Sequence, residues 1–444
     1  MFHTVQLSKS DPTPLYIQLA SELAKLIQAN LLTGGMKLPA IRYLSKQLAI
    51  NRDTVVSAYR LLENQGLVEG HIGKGTYVVP ISQKTSKTPP VKNANIYCSN
   101  LGFSKDHFPS SICLNLATKL ITEEGWEAFS DPLYRNRHFL KQNIEEFLSK
   151  NLSIHPHFGE VRLIKSIDNF LLSLFKFSPK AGICVENLRD LTASCYLRSI
   201  GARLYEIPLL DDGIDLDILE KYLRTGTVSY IMISPYLQNP TGICYSESNK
   251  KSLINLAEKY DCYIIEDGTF NEFIFDHTPL VPLYEHYSKE RVIFLYHFSR
   301  LYMPYLTYSF AVLPHMLMKR IADDTSCTFN ERLLLYYLES TSLPKLQKEL
   351  FEESKHKYEF LYKSLKELAN KFEVKSTHGG LSFWIKPLTT NRETFCQYLS
   401  KSGFIVSPGN LFTTQDSCEF VRLSISQLPL EDIEKLIYLL NNLV

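Results

Sequence analysis

No apolar run in the 444-residue chain approaches the roughly 20 residues that a membrane-spanning helix needs. The N-terminus lacks the charged-then-apolar pattern of a secretion signal. The nine cysteines never fall as C-x-x-C. Their scatter argues against a zinc or disulfide framework and for a reducing cytoplasm. No segment repeats. Net charge is nearly absent at +1, but it is unevenly spread. Residues 1–95 hold eleven Lys and Arg against five Asp and Glu, a balance of +6, which leaves −5 for the remainder. A basic head on a mildly acidic body suits a nucleic-acid-binding module tethered to a domain of another kind. The length exceeds one compact domain, and 45% hydrophobic with 21% charged residues is a globular composition.

The most patterned stretch runs from Leu38 to Val79. Residues 40–49 predict a helix, with Ile41, Leu44 and Leu48 at spacings of three and four. Ile50-Asn51 makes a tight connection, and Asn51 is a good N-cap for a second helix over 52–65. Val55, Tyr59 and Leu62 form that helix's buried stripe, which turns Arg52, Asp53, Ser57 and Arg60 outward, and Gly66 suits its stop. Residues 71–75 then tip a hairpin whose second strand is 76–79. The tip is cationic through Lys74 and flanked by Gly73 and Gly75. A helix-turn-helix followed by such a wing docks on duplex DNA: residues near the second helix's start reach base edges, and a lysine-bearing wing holds phosphate.

Over residues 12–80, LPAIRYLSKQLAINRDTVVSAYRLLENQGLV with GKGTYV resembles the DNA-binding head of GntR-type bacterial regulators, and Pro14-Leu15-Tyr16 with Gln18 fits the opening of that head. The resemblance implies that Arg42, Arg52, Thr54, Gly73 and Gly75 approach DNA. Ser57 and Lys74 join them from the outward-facing pattern.

Residues 1–11 are expected to form a loose lead-in, and 15–31 an amphipathic helix. Residues 81–95 are polar, with three lysines and two adjacent prolines, and predict a linker. The expected division is therefore a winged head over 1–80, the linker, and a body over 96–444. The body's apolar runs 230–233, 262–265, 292–295 and 310–312 alternate with helices such as 248–259. That alternation predicts an α/β fold with a mostly parallel sheet covered on both faces. The tail changes to a smaller α+β lobe: helix 346–372, strand 381–384, helix 392–401, strand 420–423 and helix 430–443.

Strand ends on one edge of such a sheet are where α/β folds place ligands. Ser234-Pro235-Tyr236-Leu237-Gln238-Asn239-Pro240-Thr241-Gly242, then Ile265-Glu266-Asp267, then Phe298-Ser299-Arg300 stand at three such ends. In this order they resemble the fold-type I aminotransferases, which use pyridoxal phosphate. With the head, the whole plan resembles the MocR branch of GntR regulators. The resemblance implies that Asn239 contacts the cofactor's ring oxygen, Asp267 its pyridine nitrogen, and Arg422 a substrate carboxylate through a bidentate fork. Pro408-Gly409 and Gly379-Gly380 correspond to scaffold turns.

The departures concentrate at the chemistry. The family's Schiff-base lysine after F-S corresponds to Arg300, and an always-protonated guanidinium forms no imine. Between Lys289 and Lys319 there is no lysine to take over. The phosphate-binding arginine corresponds to Thr307, the small hydroxyl residue before the serine to His297, and the tyrosine after the aspartate to Thr269. The glycine turn for the phosphate corresponds to Lys165-Ser166-Ile167-Asp168, and the ring-flanking aromatic to Asp190.

The sequence thus predicts a DNA-binding regulator whose body keeps the aminotransferase fold without its chemistry. Such a body dimerises the heads and senses a small anionic or amino-acid-like effector near Asn239, Asp267, Ser299, Arg300 and Arg422. Its expected partners are an operator duplex and a second copy, in the cytoplasm on the nucleoid. No covalently held cofactor is expected, while non-covalent pyridoxal phosphate stays open. The alternatives are a pyridoxal-phosphate aminotransferase, and an architectural dimer without effector in which Asn239, Asp267 and Arg422 only hold loops and lobes together.

Overall fold

The computed structural model describes residues 14–28, 32, 35–48, 50–64, 67–71, 75–78, 96–99, 101–103, 110–130, 135–157, 160–165, 167–176, 182–191, 197–199, 201–276, 279–303, 308–319, 321, 328–375, 378–415 and 417–443. They fall into two compact units, residues 1–94 and 95–444.

The first unit contains α1 (Leu15–Gln28), α2 (Ile41–Gln47), α3 (Arg52–Asn64) and the antiparallel hairpin β1 (Val68–His71) and β2 (Gly75–Val78). Leu19, Leu23, Leu44, Val55, Ala58 and Leu62 make its core, each fully buried. The predicted stripe of α3 is therefore the buried one. The Asn51 side chain accepts the Asp53 amide at 3.3 Å, as a cap should. Tyr59 closes the angle between α2 and α3 by donating its hydroxyl to the Pro39 carbonyl at 2.8 Å. Glu63 accepts the Gly70 amide at 2.9 Å and ties α3 to the wing. Helix α2 is shorter than the apolar pattern suggested, and residues 29–31, expected to close α1, lie outside the described residues. Gly66, the wing tip 72–74, Val79 and the expected linker lie outside the described residues.

The second unit opens with β3 (Ile96–Cys98), α4 (Ser110–Glu124) and α5 (Arg135–Leu152). A seven-stranded sheet follows. Its strands, in chain order, are β4 (Val161–Ile164), β5 (Gly182–Glu186), β6 (Arg203–Ile207), β9 (Val228–Ile233), β10 (Tyr263–Asp267), β11 (Val292–Tyr296) and β12 (Ser309–Val312). A small hairpin, β7 (Leu209–Leu210) and β8 (Gly213–Ile214), stands between β6 and β9. The spatial order is β4-β12-β11-β10-β9-β5-β6. From β11 to β6 the neighbours run parallel; β12 is antiparallel to both β11 and β4.

Alternation along β11 shows why both faces are covered. Val292, Phe294 and Tyr296 enter one core, and Ile293 and Leu295 enter the other. Leu253, Ile254 and Ala257 of α8 (Glu247–Lys259) pack on the first face, and Phe170, Leu171 and Leu174 of α6 (Ile167–Lys176) on the second. Between β8 and β9 runs α7 (Leu216–Leu223), and the single turn α9 (Phe298–Leu301) follows β11.

After α10 (Phe329–Leu338) and α11 (Ser342–Glu367) comes the smaller lobe: β13 (Phe372–Val374), β14 (Ser382–Pro387), α12 (Arg392–Lys401), β15 (Phe404–Pro408), β16 (Val421–Ser424) and α13 (Leu430–Asn441). Its sheet runs β13-β14-β16-β15-β3, with β3 parallel to β15. Helix α11 starts four residues before the expected point, because Pro344 sits comfortably in a first turn. It ends at Glu367, and Phe372 belongs to β13 instead.

Candidate functional site

The C-terminal ends of β5, β9, β10 and β11 line one edge of the large sheet, and the chain leaving them encloses a cavity of about 240 Å³. Asn239, Asp267, Arg300 and His297 all face it, together with Glu186, Arg189 and Asp190 from the end of β5. A second space of about 490 Å³ adjoins it at Asp190 and Arg300 and is lined by Ser99, Gly102, Phe412 and Arg422. The two together contain four of the five predicted pocket residues. The fifth, Ser299, lines neither among the described contacts. Its hydroxyl accepts the Tyr308 amide at 2.7 Å and its own amide donates to the Tyr308 carbonyl at 2.9 Å, so it clamps α9 to the approach of β12.

Asp267 is held at one oxygen, where Oδ1 accepts the Thr269 amide at 3.0 Å and the Thr269 hydroxyl at 2.5 Å. Its other oxygen lies 3.8 Å from Nε2 of His297. His297 Nδ1 meets the Ser309 hydroxyl at 3.1 Å. Burial, the largest cause, pulls the imidazole below its ordinary pKa against the opposing attraction of Asp267, and the Arg300 charge adds to the lowering.

Arg300 is exposed, and its guanidinium lies 5.5 Å from the centre of the Phe270 ring. Its amide donates to the His297 carbonyl at 3.2 Å, while its guanidinium makes no hydrogen bond or ion pair to the described residues. Arg422 behaves differently. It is buried, with Nη1 donating to Asn239 Oδ1 at 2.7 Å and Nη2 to the Ser99 carbonyl at 2.5 Å and to the Ser407 hydroxyl at 3.5 Å. The Phe412 ring lies 4.6 Å from its guanidinium carbon. Burial first, and the facing charge of Arg300 second, lower its pKa to about 10. Asn239 and Arg422 therefore already occupy one another and join the two lobes.

Sequence reasoning missed Glu186. Its carboxylate accepts from the Tyr245 hydroxyl at 2.6 Å, Gln238 Nε2 at 2.9 Å and the Ser234 amide at 3.1 Å. Burial still pushes its pKa up to about 7. Its partners come from the far side of the chain, so no local pattern announces it. The neighbouring Arg189 is tied to Glu206 at 2.9 Å and to the Glu186 carbonyl.

No lysine lines either cavity among the described residues. Lys165 pairs with Glu331 at 2.6 Å. Ser166, the Asp168 side chain and Thr307, expected near a phosphate, lie outside the described residues. Among the described residues no cluster suits a metal ion, and no helix is long and apolar enough to cross a membrane.

On the head, Arg42, Arg52 and Ser57 are exposed and Thr54 is half-buried. Gly75 opens β2 at φ +108°, where a Cβ would press on the Lys37 side chain at 2.7 Å. Gly73 and Lys74 lie outside the described residues. Two further surface groups went unnoticed in the sequence. Lys37 reaches over the Tyr77 ring at 5.7 Å, and Tyr43, beside Arg42, is 62% exposed.

The bacterial regulatory proteins of the gntR family match residues 15–78, and aminotransferase class I and II matches residues 164–440. The uncharacterized HTH-type transcriptional regulator YcxD of Bacillus subtilis (strain 168) is 26% identical over 73% of this chain and 74% of its own length. The uncharacterized HTH-type transcriptional regulator YdfD of the same organism is 22% identical over 97% of this chain and 96% of its own. The solved multiple substrate aminotransferase from Thermococcus profundus superposes with a TM-score of 0.67 at 22% identity, over 79% of this chain and 91% of that one, a likeness of fold.

Proposed function

Because this chain belongs to the GntR-type transcription regulators whose second domain is an aminotransferase of class I and II, the MocR arrangement, we propose that its body is a ligand-sensing and dimerising domain that has given up transamination. The head over 1–80 binds an operator duplex through Arg42, Arg52, Thr54, Ser57, Gly73, Lys74 and Gly75, in the cytoplasm. Residues 81–95 link it to the body over 96–444.

The observation that carries the sensing role is Arg300. A cation that the sequence resemblance aligns with the aminotransferase lysine, stacked on Phe270 and without a side-chain hydrogen bond to the described residues, faces both cavities. An arginine supplies no nucleophilic amine but forks carboxylates and phosphates well. The donor set does not suit covalent pyridoxal phosphate, since a guanidinium stands where the amine is needed. The His297 ring, wedged between Ser309 and Asp267, is the residue that the sequence resemblance aligns with a small hydroxyl. The ligand is instead a small anion, with Arg300 as its main contact and Asp267 and His297 able to take a polar group at its other end.

Dimerisation is supported by an apolar surface on α4 and the turn after it. Leu114, Ile121, Trp126 and Phe129 are 67%, 42%, 79% and 64% exposed, an unusual concentration for a free surface.

The test is a melting series of the full chain in phosphate, succinate and glutamate against chloride at equal ionic strength. A ligand of the native state raises Tm. At least one of these anions raises the wild-type Tm and leaves Arg300→Ala unmoved; equal shifts in both proteins contradict the assignment.

A further inference from the structure

The strand that enters the body from the head is also a wall of the anion cavity. β3 pairs in parallel with β15, and Ile96 donates its amide to the Gly403 carbonyl at 2.7 Å. The residues just after it, Ser99, Leu101 and Gly102, line the space that holds Arg300 and Arg422. Their backbone is held by side chains of the small lobe. Arg422 Nη2 binds the Ser99 carbonyl at 2.5 Å, Ser426 donates to the Gly102 carbonyl at 3.0 Å, and Gln427 Nε2 to the Phe103 carbonyl at 3.4 Å. Of these three holds, the one on Ser99 is charge-assisted and the shortest.

The same guanidinium faces Arg300 across the cavity and is burdened by its charge. Two like charges with a space between them favour an anion that bridges them. Such an anion needs N–H groups of Arg422, and the four that its Nη atoms offer are in part committed to Ser99, Ser407 and Asn239.

We infer that the anion is reported to the linker through Arg422: the ligand competes with the Ser99 carbonyl for Nη2, and the hold on residues 96–103 loosens. This rests on the anion-sensing role proposed above. The chain linking head to body continues directly into β3, so a change in how β3 is held is a change at the linker's anchor. A ligand can bias the head only through a difference of this kind between bound and free states.

Hydrogen–deuterium exchange on the full-length protein tests it, read on peptides covering 96–103 and, as internal control, 292–296. In Arg422→Gln, exchange in 96–103 rises roughly tenfold, the size of a lost charge-assisted bond, while 292–296 stays protected. In the wild type, saturating succinate or inorganic phosphate raises exchange in 96–103 in the same direction, and in Arg300→Ala, whose exposed side chain is not needed for folding, it does not. Unchanged exchange in 96–103 with either anion, where Tm nevertheless rises, overturns the coupling and leaves the anion site standing. Unchanged exchange together with an unchanged Tm overturns both. An Arg422→Gln protein that keeps its small sheet and shows wild-type exchange in 96–103 also overturns the coupling.

Discussion

At the scale of single residues, the same charge type plays opposite parts at two positions. Arg422 spends its guanidinium on the protein, and Arg300, one cavity wall away, does not. The expectation that Arg300 corresponds to the aminotransferase lysine needs only the F-S-R tripeptide in its context. The sequence does not foretell that Arg422 is bonded to Asn239, which lies 183 residues earlier. Buried carboxylates are equally hidden. Glu272 accepts from Tyr296, from Tyr302 at 2.9 Å and from Gln347 at 2.9 Å, and burial still raises its pKa to about 7. Unfolded, a glutamate ionises near pH 4.3. Between those values the native protein keeps a proton that the unfolded chain has lost. The stabilisation is complete below about pH 4 and is lost as pH rises through about 7. Melting curves from pH 5 to 8 are expected to show a shallower decline of Tm in Glu272→Gln than in the wild type. An identical slope in the two proteins counts against a raised Glu272 pKa.

At the scale of elements, legibility follows how much of a pattern one segment carries alone. α3 announces itself because its buried stripe, its cap and its exposed face all lie within fourteen residues, 51–64. β9, β10 and β11 are visible as apolar runs because parallel strands are buried on both faces. α4 is not, since of its fifteen residues only Leu120 is buried. Turns that depend on a distant neighbour are also hidden. Gly379 sits at φ +152° and bridges Ile274, and a Cβ there would collide with the Phe273 carbonyl oxygen. Both strain and overlap oppose any side chain, so Gly379→Ala is expected to destabilise the body by about 3 kcal/mol or more. Urea unfolding followed by the fluorescence of the buried Trp384 gives the value; a loss below about 1 kcal/mol contradicts the geometry.

At the scale of the whole molecule, a basic DNA-binding head and an aminotransferase-fold body make one regulator. Arg52 is exposed at the start of α3, where a recognition helix meets base edges. Arg52→Ala is expected to weaken binding to a duplex selected from a random pool by about tenfold to a hundredfold, read by fluorescence anisotropy at fixed salt. Wild-type affinity in that variant removes Arg52 from the interface. Trp126→Glu places a charge in the exposed apolar surface beside Phe129. Sedimentation velocity is expected to show the wild type at twice the chain mass and this variant at the chain mass.

The central claim, that the body no longer carries out pyridoxal-phosphate chemistry, is most directly met by one measurement. Purified full-length protein is mixed with pyridoxal phosphate, its absorbance recorded, and the sample reduced with borohydride and weighed by mass spectrometry, with Arg300→Lys run in parallel. No lysine-bound band and no added mass are expected in either protein, because the resemblance aligns the family's phosphate-binding arginine with Thr307 and its Schiff-base lysine with Arg300. A band in the wild type that borohydride makes permanent, with one pyridoxyl group added per chain, would show that another lysine does the work, and the body would be an enzyme's after all.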